Sequence, residues 1–397
     1  MLYGGAMNNK LIIAAAGSGK TTHLVQEAHK KSHKKILITT FTDNNASEIK
    51  QKFIALYGSV PSNVTVLPWV SFLLTHCVRP YQSCYDMSLH DVNIGFLLVS
   101  EKSGAKYQSR AGHTVYWKEE ENFKKHYFNN NFQIYSDKIS KFVIKNNERS
   151  NNAVFSRLKK IFDCVYIDEI QDMVGYDLEI IKLFLKEIEE VLLVGDPRQC
   201  TYSTHNAQKH TQYAEGNIEN FIREKLGRRI TCEIDTSTLN VSHRNFKEQC
   251  DFSSLLYPQY PVPTPCSCAE CRGLSANNGL FLVKSVDVKK YLLKTKAVQL
   301  RWDIRTQCHD TTPCFNMGES KGMTFEHTLI YLTVPMVKWL KDRTYELNFS
   351  SKAKFYVALT RAKYSVAIVW DAETHFVPEF TMYSPEDENE YIVPMLF

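Results

Sequence analysis

The chain has 397 residues, of which 44% are hydrophobic and 23% are charged, and this composition is typical of a globular protein of two ordinary domains. No apolar run approaches the ~20 residues that a membrane-spanning helix needs, and residues 1–10 are too short and too polar for a secretory signal. We therefore expect a cytoplasmic protein without a membrane partner. The net charge of +5 is compatible with nucleic-acid binding but is too small to indicate it.

A glycine-rich turn follows the first apolar run. Residues 11–13 predict a short buried strand, residues 22–31 predict a helix, and the turn at 14–21 reads AAAGSGKT. Strand, glycine-rich turn and helix form the context of a phosphate-binding loop, in which backbone N–H groups and the helix dipole face phosphate oxygens. Lys20 is expected to reach the β- and γ-phosphates, and the Thr21 hydroxyl to ligate Mg²⁺. The residues expected to bind ATP here are Ala16, Gly17, Ser18, Gly19, Lys20, Thr21 and Thr22.

Apolar, β-rich runs alternate with helix-like stretches along the whole chain. They fall at 11–14, 35–39, 64–67, 164–167 and 191–194, and again at 279–283, 328–332 and 365–370. This alternation predicts an α/β fold with parallel sheets covered by helices. Residues 80–159 have weak periodicity and predict a helical insertion, and the Pro-, Cys- and Ser-rich residues 257–276 predict a loop.

Two acids end the apolar run at 164–167. Asp168 is expected to hold the Mg²⁺ ion, and Glu169 to orient and deprotonate the attacking water. An apolar strand followed by two acids is common, but here the sequence continues Ile170-Gln171-Asp172, which is a specific pattern.

With the phosphate-binding loop, this pattern resembles the UvrD/Rep/PcrA group of superfamily 1 DNA helicases. Further segments match the motifs of that group in the same order, at 40–48, 194–202, 239–245, 319–325 and 356–363. The resemblance implies two RecA-like P-loop domains, at 1–235 and 236–397, that hydrolyse ATP with Mg²⁺ in the cleft between them. It also implies movement along single-stranded DNA, in the 3′ to 5′ direction.

The resemblance assigns roles position by position. Fixed cations are the main means of stabilising charge on a transferring phosphoryl group. The residues implied in catalysis are Lys20, Glu169, Gln199, Arg244 and Arg361, with His243 and Gly322 also implied at the nucleotide. The residues implied at single-stranded DNA are Phe41, Thr42, Tyr202, His205 and Lys321.

The chain is compact compared with the full-length helicases of this group. Only 76 residues separate Arg244 from Lys321, too few for their accessory domain. We therefore expect a strong single-strand-dependent ATPase that unwinds weakly on its own. The alternative is a nucleotide-hydrolysing or nucleotide-sensing subunit of a complex, as in the anti-phage Gabija helicase–nuclease system, with a nuclease as its partner.

Three of the 11 cysteines lie close together in the 257–276 loop. Cys266, Cys268 and Cys271 include a Cys-x-x-Cys pair with the spacing of zinc ligands. Additional ligands could come from Cys250, Cys308, His309 and Cys314. Because no second Cys-x-x-Cys pair is present, free thiols remain the alternative to a structural zinc ion.

Overall fold

The computed structural model describes residues 8–201, 209–272 and 278–385. The chain divides into two compact units, one of residues 1–14 and 19–235 and the other of residues 15–18 and 236–397. Within the described ranges, every helix is too short or too polar to cross a membrane.

The first unit is built around a parallel sheet of six strands in the order β10-β1-β9-β8-β2-β3. Strands β2 and β8 are buried along their whole length, as expected for central strands covered by helices on both faces. The strands described in this unit are β1 (Asn8–Ile13), β2 (Ile36–Thr40), β3 (Val64–Pro68), β4 (Gly95–Leu97), β5 (Ala105–Gln108), β6 (Thr114–Tyr116), β7 (Gln133–Tyr135), β8 (Cys164–Ile167), β9 (Glu190–Gly195) and β10 (Glu233–Asp235).

The helices of the first unit cover this sheet and build the insertion. They are α1 (Lys20–His29), α2 (Asp43–Tyr57), α3 (Trp69–Phe72), α4 (Gln82–Tyr85), α5 (Phe123–Tyr127), α6 (Ile139–Arg149), α7 (Ala153–Ile161), α8 (Tyr176–Glu187) and α9 (Ile218–Lys225). The buried carboxylate of Asp177 on α8 accepts hydrogen bonds from Trp69 Nε1 (3.0 Å) and from Ser140 Oγ, and so ties the insertion to the sheet layer.

The expectation that residues 80–159 are helical is only partly right. Helices α4 to α7 lie there, but β4 pairs with β7 in parallel and β5 pairs with β6 in antiparallel fashion. The strands that the prediction missed are three or four residues long, too short for a period-2 pattern to be recognised. Their aromatic and β-branched residues, as in Thr114-Val115-Tyr116, favour the extended conformation.

The second unit also has a parallel six-stranded sheet, in the order β15-β14-β16-β17-β13-β18. Its described strands are β11 (Val241–Ser242), β12 (Thr264–Pro265), β13 (Gly279–Val283), β14 (Val298–Arg301), β15 (Cys314–Asn316), β16 (Phe325–Ile330), β17 (Ala362–Val369) and β18 (Thr381–Met382). Its described helices are α10 (Lys247–Ser254), α11 (Ala269–Arg272), α12 (Val288–Thr295), α13 (Val334–Lys341) and α14 (Phe349–Leu359). The predicted α/β class with parallel sheets is confirmed.

The 257–276 segment, expected to be a loop, contains two short elements. Strand β12 pairs in parallel with β11, with Ser242 opposite Pro265, and helix α11 carries Cys271. Both elements are too short to produce a periodic pattern in the sequence. The pairing of β11 with β12 places the start of the cysteine group beside Val241 and Ser242.

Candidate nucleotide-hydrolysis site

The phosphate-binding loop connects β1 to α1, as the sequence predicts. Gly17 (φ +72°) and Gly19 (φ +80°) adopt left-handed backbone conformations, which cost other residues about 1–2 kcal/mol each. A Cβ atom at Gly17 would also lie 2.6 Å from Arg244 Cβ and 3.0 Å from Ser242 Oγ. Glycine is therefore required at position 17 by conformation and by space.

The first turn of α1 faces the two acids that follow β8. Thr21 Oγ1 lies 3.4 Å from Asp168 Oδ2, and Lys20 Nζ lies 3.7 Å from Glu169 Oε1. Burial, together with the adjacent Glu169 carboxylate, raises the pKa of Asp168 to about 7. The Thr21 hydroxyl and the two carboxylates offer the hard oxygen ligands that Mg²⁺ prefers. A bound divalent cation would stabilise the ionised form of these carboxylates and so lower their pKa values. These residues fit a Mg²⁺-bound triphosphate.

Glu169 has an unusual backbone conformation. Its φ of +55° lies in the left-handed region, which costs a non-glycine residue about 1–3 kcal/mol and is concentrated at functional sites. The side chain is also held, because Gln171 Nε2 donates a hydrogen bond to Glu169 Oε2. The carboxylate is thus fixed between Gln171 and Lys20.

A buried polar network extends from Gln171 to Gln199. Gln171 Oε1 accepts a hydrogen bond from the Asp196 backbone N–H (3.1 Å), and Asp196 Oδ2 accepts one from Gln199 Nε2 (2.7 Å). All three side chains are buried. Gln199, to which the resemblance assigns a catalytic role, is therefore linked through Asp196 and Gln171 to the carboxylate of Glu169.

Arg198 is a member of this network that the sequence analysis missed. Its Nε donates to Asp196 Oδ1 (2.7 Å) and its Nη2 donates to the carbonyl of Ala14 (2.9 Å), with only 2% of the residue exposed. The guanidinium thereby ties the segment after β9 to the start of the phosphate-binding loop. The motif at 194–202 contains Arg198, but within this motif the resemblance assigns roles to Gln199 and Tyr202 and not to Arg198.

Gly195 is predicted to be intolerant of alanine. An added Cβ would lie 2.3 Å from Gln171 Oε1 and 2.8 Å from Ile170 Cγ2. We expect Gly195→Ala to lower the free energy of unfolding by about 1–3 kcal/mol, the usual cost of overpacking. Urea unfolding followed by circular dichroism measures this loss. Because Gln171→Ala removes the crowded oxygen, the double variant should lose less stability than the sum of the single variants, and strict additivity would contradict the explanation.

The two predicted catalytic arginines meet at Thr360 in the second unit. Arg244 Nη1 donates to the carbonyl of Thr360 (3.2 Å), and Arg361 Nη2 donates to its hydroxyl (3.2 Å). Asn245 Nδ2 donates to the same carbonyl (3.3 Å). The structure therefore brings the motifs at 239–245 and 356–363 together, and Thr360 and Asn245 are linking residues that the sequence analysis did not single out.

The Arg361 side chain is buried and forms hydrogen bonds within its own unit. Only 1% of the residue is exposed, and its guanidinium donates to the carbonyls of Val357 (3.0 Å) and Met323 (3.3 Å). These bonds hold the guanidinium of Arg361 against the backbone of its own unit. Arg244 is only half-buried.

The residues predicted to contact DNA are in varied environments. Phe41 is half-buried just after β2, and Thr42 caps α2, its Oγ1 accepting a hydrogen bond from the Asn45 N–H (3.1 Å). Lys321 is half-buried in the turn before β16, where Gly322 is exposed with φ +85°. Tyr202 and His205 lie outside the described residues.

The predicted cysteine group gathers around His243, which the sequence analysis assigned to the nucleotide. His243 Nδ1 lies 3.6 Å from Cys271 Sγ, and Cys266 Sγ lies 3.2 Å from Cys268 Sγ. The ligand atoms of His243, Cys266 and Cys271 are all within 4.8 Å of one another. The additional ligands suggested by the sequence lie elsewhere: Cys308 and Cys314 form a disulfide, and Cys250 is buried on α10.

Two protein-family models match the chain. One, described as an AAA domain, matches residues 5–205, and the other, described as the viral superfamily 1 RNA helicase core domain, matches residues 122–369. Together they include the phosphate-binding loop, the acidic pair and both arginine motifs.

One curated relative is the Gabija protein GajB of Bacillus cereus (strain VD045), which is 28% identical over 229 residues. The match covers 53% of this chain and 41% of GajB, so the chain spans about two fifths of the length of this relative.

The solved structures to which the chain is similar include viral helicases. Arterivirus nonstructural protein 10 in complex with DNA is 14% identical, with a TM-score of 0.42, over 92% of this chain and 61% of that one. The PRRSV helicase is also 14% identical, with a TM-score of 0.38, over 91% of this chain and 52% of that one.

Proposed function

The chain belongs to the superfamily 1 helicases, and from this membership we propose that it is an ATP-driven single-stranded DNA translocase of the UvrD type. The observation that carries the proposal is the buried network from Glu169 through Gln171 and Asp196 to Gln199. This network links Glu169, the carboxylate proposed to activate water, to Gln199. The motif of Gln199, at 194–202, also contains Tyr202, which the resemblance places at DNA. The proposed domains are residues 1–235 and 236–397.

The proposed chemistry is transfer of the γ-phosphoryl group to water. Lys20 neutralises charge on the β- and γ-phosphates, and Thr21 and Asp168 hold the Mg²⁺ ion, which supplies further positive charge at the phosphates. Glu169 orients the attacking water and accepts its proton. Arg244 and Arg361 supply cations that stabilise the charge on the transferring group.

The proposed DNA contacts do not depend on base sequence. Phe41 and Tyr202 would stack on bases, an interaction worth about 1–3 kcal/mol per base. Thr42, His205 and Lys321 would contact the strand as the resemblance implies. Thr42 also caps α2 through Asn45, so a variant of Thr42 would change helix stability together with DNA binding.

Direction of movement gives a direct test of the proposal. The substrates are single-stranded oligonucleotides with a biotin at one end, to which streptavidin is bound. Streptavidin should be displaced faster from the 5′ end than from the 3′ end, because a protein that moves 3′ to 5′ arrives at the 5′ end. We also expect little unwinding of a duplex with a single-stranded tail. Lys20→Ala, which removes the phosphate-binding cation, is the control that should displace nothing. Faster displacement from the 3′ end would contradict the proposed polarity.

The similarity to Gabija protein GajB favours a second candidate, an ATP-hydrolysing subunit of an anti-phage complex with a nuclease partner. In this case hydrolysis would be indifferent to single-stranded DNA, and the chain purified under native conditions from its own cells would carry a second protein with nuclease activity. Native mass measurement of that preparation tests the alternative. A monomer whose hydrolysis depends on DNA would contradict it.

A further inference from the structure

Four soft or borderline metal ligands come together at the surface of the second unit. His243 follows strand β11, Cys266 follows β12, Cys268 lies between β12 and α11, and Cys271 lies on α11. Thiolate and imidazole are the ligands of structural zinc sites, which are closed by four protein groups. We propose that His243, Cys266, Cys268 and Cys271 bind a structural Zn²⁺ ion.

The distances suit a tetrahedral ion. With Zn–S bonds of about 2.3 Å and Zn–N bonds of about 2.0 Å, neighbouring ligand atoms in a tetrahedron lie about 3.5–3.8 Å apart. The distance from His243 Nδ1 to Cys271 Sγ is 3.6 Å, and that from Cys266 Sγ to Cys268 Sγ is 3.2 Å. The ligand atoms of His243, Cys266 and Cys271 already lie within 4.8 Å of one another, so contraction by about 1 Å brings them to tetrahedral spacing. Cys268, whose Sγ lies beside that of Cys266, closes the site by a side-chain movement toward the other three.

The segment that carries the thiols has little apolar packing of its own. Strand β12 is two residues long and α11 is four, while Cys268 is exposed and Cys266 and Cys271 are half-buried. The binding energy of a metal can stabilise a segment that cannot build a core. A zinc ion thus explains how so short a strand and helix hold a defined arrangement.

The site would also fix the backbone beside the phosphate-binding loop. The Cys266 N–H donates to the carbonyl of Ser242 (2.8 Å), and the His243 N–H donates to the carbonyl of Gly17 (2.9 Å). Ser242 Oγ donates to the carbonyl of Ala16 (2.8 Å). Because Arg244 is the next residue after His243, an ion bound at His243 would anchor both the arginine and the loop backbone. The consequence for hydrolysis depends on the proposed function, whereas metal binding does not.

Metal content and cobalt spectroscopy test the proposal on the full chain. Protein purified without chelator should contain about one zinc per chain by elemental analysis. Replacement of the zinc by Co²⁺ should produce the visible d–d bands of a tetrahedral site and the thiolate-to-cobalt charge-transfer bands in the near ultraviolet.

Matched variants identify the ligands. His243→Ala and Cys271→Ser should lose the zinc and the cobalt bands, whereas His243→Cys restores a fourth ligand and should keep both. Cys84→Ser, at an exposed cysteine in the first unit, is the matched control and should keep the full zinc content. The recovery with His243→Cys separates ligation from a general loss of folding.

Two outcomes would overturn the proposal. One is protein that contains no zinc and develops no cobalt bands when its thiols are reduced. The other is zinc that remains at full content in His243→Ala and Cys271→Ser. If the zinc is present but its removal leaves ATP hydrolysis unchanged, the proposed metal site is supported. The proposed effect of the metal on the position of Arg244 is then contradicted.

Discussion

Replacement of Arg244 by alanine is expected to lower kcat for ATP hydrolysis by about 10³-fold, the lower end of what a catalytic arginine contributes in phosphoryl transfer. The side chain is half-buried, and its Nη1 donates a hydrogen bond to the carbonyl of Thr360 (3.2 Å). The guanidinium is the cation that we propose to stabilise charge on the transferring phosphoryl group. Alanine removes that charge without crowding Gly17, whose missing Cβ makes room for Arg244 Cβ.

Steady-state phosphate release measures this effect, and the second unit supplies a control. Lys247→Ala removes another cation, which is exposed and paired with Asp251 at 2.6 Å one helical turn away. Because such surface pairs contribute little, kcat should change by less than about twofold in the control. Arg244→Lys should also be strongly impaired, since an ammonium cannot reproduce the guanidinium geometry. A loss below tenfold in Arg244→Ala would remove this residue from the catalytic group.

Glu169→Gln is expected to lower kcat by about 10²- to 10⁴-fold while ATP binding is retained. Glutamine has nearly the same shape, so the left-handed backbone at position 169 need not change. The amide cannot accept a proton from water, and its oxygen can still accept the hydrogen bond from Gln171 Nε2. The ion pair with Lys20 is lost, which leaves the Lys20 ammonium to the phosphates.

The two halves of this prediction need separate measurements. Phosphate release gives kcat, and equilibrium titration with a fluorescent ATP analogue gives the affinity. Glu219→Gln, which removes a carboxylate from an exposed pair with Arg223 on α9, is the control and should match the wild-type protein in both. Loss of analogue binding in Glu169→Gln would instead assign the carboxylate to nucleotide binding.

The sheets and the phosphate-binding loop could be predicted from the sequence because their signals are local. Strand β8 is a continuous apolar run that is entirely buried, and the turn from β1 to α1 contains both left-handed glycines within three residues. The insertion strands could not be predicted, because runs of three or four residues carry too little pattern to separate strand from helix.

The site was less predictable where its residues are distant in the sequence. His243 lies 23 residues before Cys266, and only the pairing of β11 with β12 brings them together. The Arg361 side chain adopts a rotamer in which its guanidinium donates a hydrogen bond to the carbonyl of Met323. No local sequence pattern predicts this rotamer. The role of Arg198 likewise depends on the adjacency of β1 and β9, which brings Ala14 within reach.

ATP hydrolysis with and without single-stranded DNA tests the central claim most directly, with Glu169→Gln as the hydrolysis-deficient baseline. The proposed motor predicts strong stimulation by DNA that declines as salt is raised, because contacts with phosphates weaken with salt. Glu169→Gln should remain inactive under every condition. Hydrolysis by the wild-type protein that is the same with and without DNA would contradict the motor and favour a subunit whose activity is controlled by a protein partner.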